Sequence, residues 1–113
     1  MKMYLSIALF TLISFQLSAG ELVNNAKITR MANISGNVDG FYLNLDGSGT
    51  GPCVGTPIFF KVEKMPGQSK EALNRAVSLA SMAFMMDLYV QIHNYSDDDC
   101  YGASYIRISK TKF

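Results

Sequence analysis

Two short stretches of the sequence group side chains whose types could do chemistry. One is Asp97-Asp98-Asp99-Cys100, three consecutive carboxylates beside one of only two cysteines. The other is the pattern around His93, the sole histidine, with Tyr89 and Tyr95 on the same parity. Oxygen-rich calcium loops alternate their ligands with spacers and a turn glycine, and an unbroken Asp run has no such alternation. In an extended chain neighbouring side chains point apart, so the three carboxylates cannot converge on one ion without a sharp turn. Asp46 and Ser48 are the nearest candidates for additional oxygens. Zinc wants four N or S ligands, and one histidine with two cysteines supplies too few. The Asp run therefore reads as a hydrated loop, with no metal site expected.

Enzyme chemistry fares no better. The chain carries neither GxSxG nor HExxH, and Asp39, Glu63 and Glu71 are scattered singly. A thiolate nucleophile needs a base to activate it, and His93 lies in a strand pattern rather than in a motif. The Gly-rich stretch 47–57 lacks the Lys-Ser/Thr pair and the following helix start that a phosphate cradle requires. No catalytic residue and no cofactor is expected.

The compartment follows from the first twenty residues. Lys2 precedes an apolar run over residues 4–17, and small Ser18, Ala19 and Gly20 follow. A basic start, an apolar middle of roughly 7–15 residues and a small-residue cleavage site make a secretory signal peptide. A spanning helix would need roughly 20 apolar residues. The expected division is thus a signal peptide over 1–20 and one domain over 21–113, secreted or periplasmic after cleavage and not inserted in a membrane. Two cysteines in an exported chain of this size pair most often, so Cys53–Cys100 is the expected disulfide.

Loss of Lys2 with the leader leaves nine basic and nine acidic side chains. A neutral domain has no general electrostatic pull toward nucleic acid or anionic lipid, and neither is an expected partner. With 49% hydrophobic and 17% charged residues, the chain has the composition of one small folded domain.

The elements that must position these groups are legible from periodicity. Residues 27–34 carry Ile28, Ala32 and Ile34 on one parity, a strand signal. Residues 41–45 alternate Phe41, Leu43 and Leu45 against Tyr42 and Asn44. Residues 58–62 place Ile58, Phe60 and Val62 inward. Residues 69–86 recur with apolar spacings of three and four, opened by Ser69 as a cap and Glu71 in the first turn, which predicts a helix. Met82, Met85 and Met86 widen its apolar surface and read as core filler, the other reading being a Met-rich contact surface. Residues 88–92 and 105–108 supply two further strands, with Leu88, Val90, Ile92, Ile106 and Ile108 inward. Phe41, Leu43, Ile58, Phe60, Val62, Val77, Phe84, Val90, Ile92 and Ile106 are the expected core.

The resulting order, βββαββ, predicts a mainly β domain with one helix. It matches an OB-fold-like five-stranded Greek-key barrel with the helix plugging one end. A cystatin-like sheet is the nearest alternative, but there the helix comes early in the chain.

An exported chain with this order, the loop "LDGSGTGPC", the helix "SKEALNRAVSLA" and "LYVQIHNY" directly after it resembles the pentamer-forming B subunits of bacterial AB-type toxins. The subtilase-cytotoxin and typhoid-toxin kind is the most similar, together with short secreted proteins of Gram-negative bacteria. The resemblance spans residues 27–109. It implies an OB-fold, a homo-oligomeric ring and recognition of sialylated glycans, and it transfers no individual contact residue. From the residues themselves, Tyr42, Asn44, His93 and Tyr95 are the candidate ligand contacts. Their aromatic faces stack on sugar rings, and the amide and imidazole give directed hydrogen bonds. A secreted glycan-binding module is one expectation. The other is a periplasmic structural or inhibitory protein that docks another protein through the helix or an open strand edge.

Overall fold

The computed structural model describes residues 20–34, 36 and 38–113. The signal peptide expected over 1–20 lies, apart from Gly20, outside the described residues. What they build is mainly β with one helix. Five strands, β1 (Glu21–Asn33), β2 (Gly40–Leu45), β3 (Ile58–Lys61), β4 (Tyr89–His93) and β5 (Tyr105–Ser109), surround one helix, α1 (Lys70–Met86). The sheet runs β3-β2-β1-β4-β5, and every neighbouring pair of strands is antiparallel. A single parallel bridge, Phe60 to Ala103, brings the segment before β5 against β3 from the far edge. No helix among the described residues is long and apolar enough to cross a membrane.

The first strand begins earlier than the alternation predicts. Its start is Glu21 rather than Lys27, and Leu22, Val23 and Ala26 are fully buried. Pairing with β4 covers residues 21–27, and pairing with β2 covers 28–33. The register slips between Glu21 and Val23, between Asn24 and Ala26, and again between Ile28 and Arg30. Each slip is an inserted residue that bends the strand and resets which parity faces inward, so a period of two is unreadable there. Asn25, with φ of 65°, takes the left-handed conformation inside the second irregularity. Asn tolerates that region better than most residues.

The glycine-rich loop packs on the free edge of β1. Asn24 and Thr50 exchange backbone hydrogen bonds of 2.8 and 3.0 Å, and the Cys53 amide donates to the Leu22 carbonyl at 2.9 Å. Gly49 and Gly51 lie so close that a Cβ on either would collide with the carbonyls of Asn24 and Leu22, and both have positive φ. Only glycine fits there. The loop is then tied down by the Cys53–Cys100 disulfide, whose Cα atoms are 5.8 Å apart across a sequence separation of 47. In the chain-entropy picture closing that loop contributes about 4 kcal/mol.

Helix α1 starts at Ser69, whose Oγ accepts the Ala72 amide at 3.1 Å, and ends at Asp87 in the left-handed region. Its buried stripe is Leu73, Ala76, Ala80 and Ala83, spacings of three and four. Three alanines let the backbone sit close to the sheet. The packing corrects part of the expected core. Val62 and Val77 are only partly buried, and Phe84 is 42% exposed because it lies one step off the stripe in the last turns. Met82, Met85 and Met86 are likewise not filler, being 47%, 82% and 55% exposed. The remaining core residues stand as expected, with Phe41 stacked on Phe60 at 4.8 Å between centroids.

Phe60 is fully buried and pairs with both Phe41 and the Ala103 segment. Phe60→Ala should therefore lower the unfolding free energy by about 3–5 kcal/mol. Denaturant titration checks it, and a loss below about 1 kcal/mol would contradict the packing at this position.

Candidate functional site

Strand register decides which of the expected contacts meet. His93 pairs with Tyr105 across β4 and β5, and their rings stack at 5.6 Å. Tyr95, just past the end of β4, tilts against the same Tyr105 ring at 6.0 Å. Tyr42 and Asn44 lie elsewhere. Tyr42 pairs with Ala32 and Asn44 with Arg30, whereas His93 pairs with Glu21. Those partners stand nine and eleven positions from Glu21 along β1, with register slips between, so the two groups lie at opposite ends of that strand. The four candidates therefore fall into two clusters.

Tyr95 and Tyr105 of the His93 cluster line a half-open cleft of about 490 Å³ between the first turns of α1 and the start of β5. Tyr95, Ser104 and Tyr105 form one wall, Ser69 and Arg75 the other, and Met65, Ala76 and Ile106 the apolar floor. Ser104 is buried and holds the wall in place. Its amide donates to the His93 carbonyl at 2.9 Å and its Oγ accepts the Tyr95 amide at 3.2 Å. Burial lowers the His93 pKa below its ordinary 6.5, the Glu21 charge opposing this and Arg107 reinforcing it. The imidazole is thus neutral near pH 7 and can both donate and accept a hydrogen bond.

Tyr42 belongs to a second aromatic row on the other half of the sheet. It stacks on Phe59 at 5.1 Å, Phe59 meets Tyr101 at 4.9 Å, and the Lys61 ammonium lies 5.8 Å from the Phe59 ring centre and 5.9 Å from that of Tyr101. Asn44 contributes its backbone carbonyl to the Thr29 hydroxyl at 3.2 Å.

The acidic run is organised around Asn94. This buried amide donates to Asp97 Oδ1 at 2.8 Å and to the Asp99 carbonyl at 3.0 Å, and its Oδ1 accepts the amides of Ser96 and Asp97. Asp97 also accepts the Asp99 amide, and Asp99 accepts that of Tyr101. Two of the three carboxylates thus build the turn that carries Cys100 toward Cys53.

Asp46 lies in a different recess, of about 540 Å³, beside Lys27, Lys112 and Tyr89. Burial acts to raise its pKa, but hydrogen bonds from the Ser48 hydroxyl and amide and from the Lys27 amide outweigh it and hold the carboxyl below 3.8. Two ammonium groups in the same recess oppose a divalent cation. Among the described residues no three His, Cys, Asp or Glu side chains stand close enough to share a metal.

Tyr105, Arg75 and Ser104 were not among the sequence candidates. Tyr105 and Arg107 read as outward on β5, but nothing in one strand's alternation tells which residue lies opposite. Arg75 enters through the docking of the helix. Gln91, also on the outward parity, is buried because its amide bridges Asn24 at 2.9 Å and accepts from Arg107 at 2.7 Å.

With one histidine in the chain, proton NMR reads the site without assignment. The His93 ring should titrate with a midpoint below 6.5. Because the folded pKa is the depressed one, the unfolded state binds more protons as pH falls, so the stability from neutral His93 is complete above the ordinary value and lost below it. A midpoint at or above 6.5 would contradict the burial of this ring.

No curated protein and no solved structure matches the chain significantly. Residues 2–110 match the model of a family of unknown function, DUF5992, and the chain belongs to that family.

Proposed function

We propose that this protein is an exported, non-enzymatic binding module that recognises a carbohydrate in the cleft between α1 and β5. The observation that carries the reading is Tyr95 and Tyr105 facing Arg75 across an apolar floor, with His93 stacked on Tyr105. Exposed tyrosine faces stack on sugar rings, while the guanidinium and the Ser69 hydroxyl give directed hydrogen bonds to ring substituents. The disulfide suits an oxidising compartment outside the cytoplasm. The scaffold is an OB-fold-like Greek-key barrel. Its support is a long bent β1 shared by both half-sheets, a helix between β3 and β4, and the parallel Phe60–Ala103 bridge that draws the edges toward closure. On this reading the resemblance to toxin B subunits adds a ring of copies and sialylated glycans as the first ligands to try.

A second reading, docking of a partner protein, rests on the Tyr42–Phe59–Tyr101 row with Lys61 above it. Aromatic residues are enriched at such interfaces.

A glycan array probed with the purified protein separates the two. Binding to a defined glycan class is expected, weakened about tenfold by Tyr105→Ala, equivalent to roughly 1.4 kcal/mol. Tyr42→Ala should leave it unchanged. Absence of any glycan signal, or equal losses in the two variants, would overturn the cleft as the carbohydrate site.

A further inference from the structure

We infer that the last turns of α1 carry a site for one soft monovalent cation of the copper(I) class, formed by the thioethers of Met82, Met85 and Met86. The spacing i, i+3, i+4 makes these three residues neighbours on one helix face. All three side chains are exposed, and Met85 is the most exposed large apolar residue described. Burial therefore does not account for them. Methionine has three rotatable bonds and a polarizable sulfur, so the three can converge on one ion without any change in the backbone.

The choice of ion follows from the donors. Thioether sulfur is soft and selects copper(I) over zinc, calcium or magnesium. It is also neutral and carries no proton to displace, so binding should be insensitive to pH in the neutral range. The electrostatics are independent support. The C-terminal end of a helix carries partial negative charge and favours a cation, yet the last turn of α1 has no basic residue. The adjacent carboxylate, Asp87, already pairs with Lys27 at 3.2 Å. With Lys27 already against Asp87, the end offers neutral sulfurs and no unmatched carboxylate, which suits a single positive charge over a double one.

Among the described residues, competing soft ligands are few. Both cysteines are in the disulfide. Met65 is buried, and Met31 is partly buried with its sulfur 4.0 Å from the Ser81 hydroxyl.

Silver(I) is a redox-inert probe of the same softness, and the full chain can be titrated with it in chloride-free buffer while the methionine methyl signals are followed by NMR. One silver ion per chain is expected, shifting the methyls of Met82, Met85 and Met86 and leaving those of the other methionines, Met31 and Met65 included, in place. The Met82→Leu/Met85→Leu/Met86→Leu variant should lose this saturable binding and keep its melting temperature, since leucine matches methionine in size and helix propensity. Zinc(II) should move none of the three methyls. Undiminished silver binding by the triple variant would overturn the inference. So would wild-type shifts confined to methionines other than these three, or to His93. The wild-type methyl shifts decide the matter even if the triple variant does not fold.

Discussion

A single bent strand has to satisfy two half-sheets at once, and the rest of the molecule depends on that constraint. β1 pairs with β4 over its first half and with β2 over its second. A straight strand of thirteen residues would keep one face inward throughout. β1 instead slips register three times, which turns Leu22, Val23, Ala26 and Ile28 all toward the core despite their uneven spacing. Its exposed edge near Asn24 would be an open template for association. The glycine-rich loop closes it, and Gly49 and Gly51 exist at that distance because no side chain would fit.

From β1 outward, each functional element is placed by what it packs against. The β4–β5 register sets His93 against Tyr105 and Gln91 against Arg107. The alanine stripe brings α1 close enough for Arg75 to face the two tyrosines across one cleft. In the last turns only Ala83 lies on the buried stripe, so that Phe84 and three methionines meet solvent. The disulfide joins the loop on β1 to the turn built by Asn94, Asp97 and Asp99, and so fixes the start of the segment that leads to Ser104 and Tyr105.

How much of this was legible depended on whether a local rule or a long-range pairing decided it. The strands at residues 40–45 and 58–61 were readable because one face of each is buried and the period is unbroken, and 89–93 was readable from Val90 and Ile92 although Gln91 opposite them is buried as well. The helix and its Ser69 cap were readable for the same local reason. The first six residues of β1 were not, since inserted residues scramble the parity on which a strand is recognised. Phe84 misled because an apolar side chain beside an alanine stripe looks like part of it, and only the width of the packed face tells them apart. His93 and Tyr95 carried enough chemistry to be singled out, whereas Tyr105 and Arg75 needed the strand register and the helix position. Tyr42 and Asn44 shared the right parity with them but sit at the other end of β1.

Native-state hydrogen exchange of the β1 amides tests most directly whether this strand is the spine of the fold. Amides of residues 22–27 that bond to β4 or to the glycine-rich loop should exchange only through global opening, as slowly as the central amides of β4. Exchange of residues 22–26 at the rate of a frayed terminus, with β2 and β4 still protected, would contradict the account. It would mean that the two half-sheets hold together without the first half of β1.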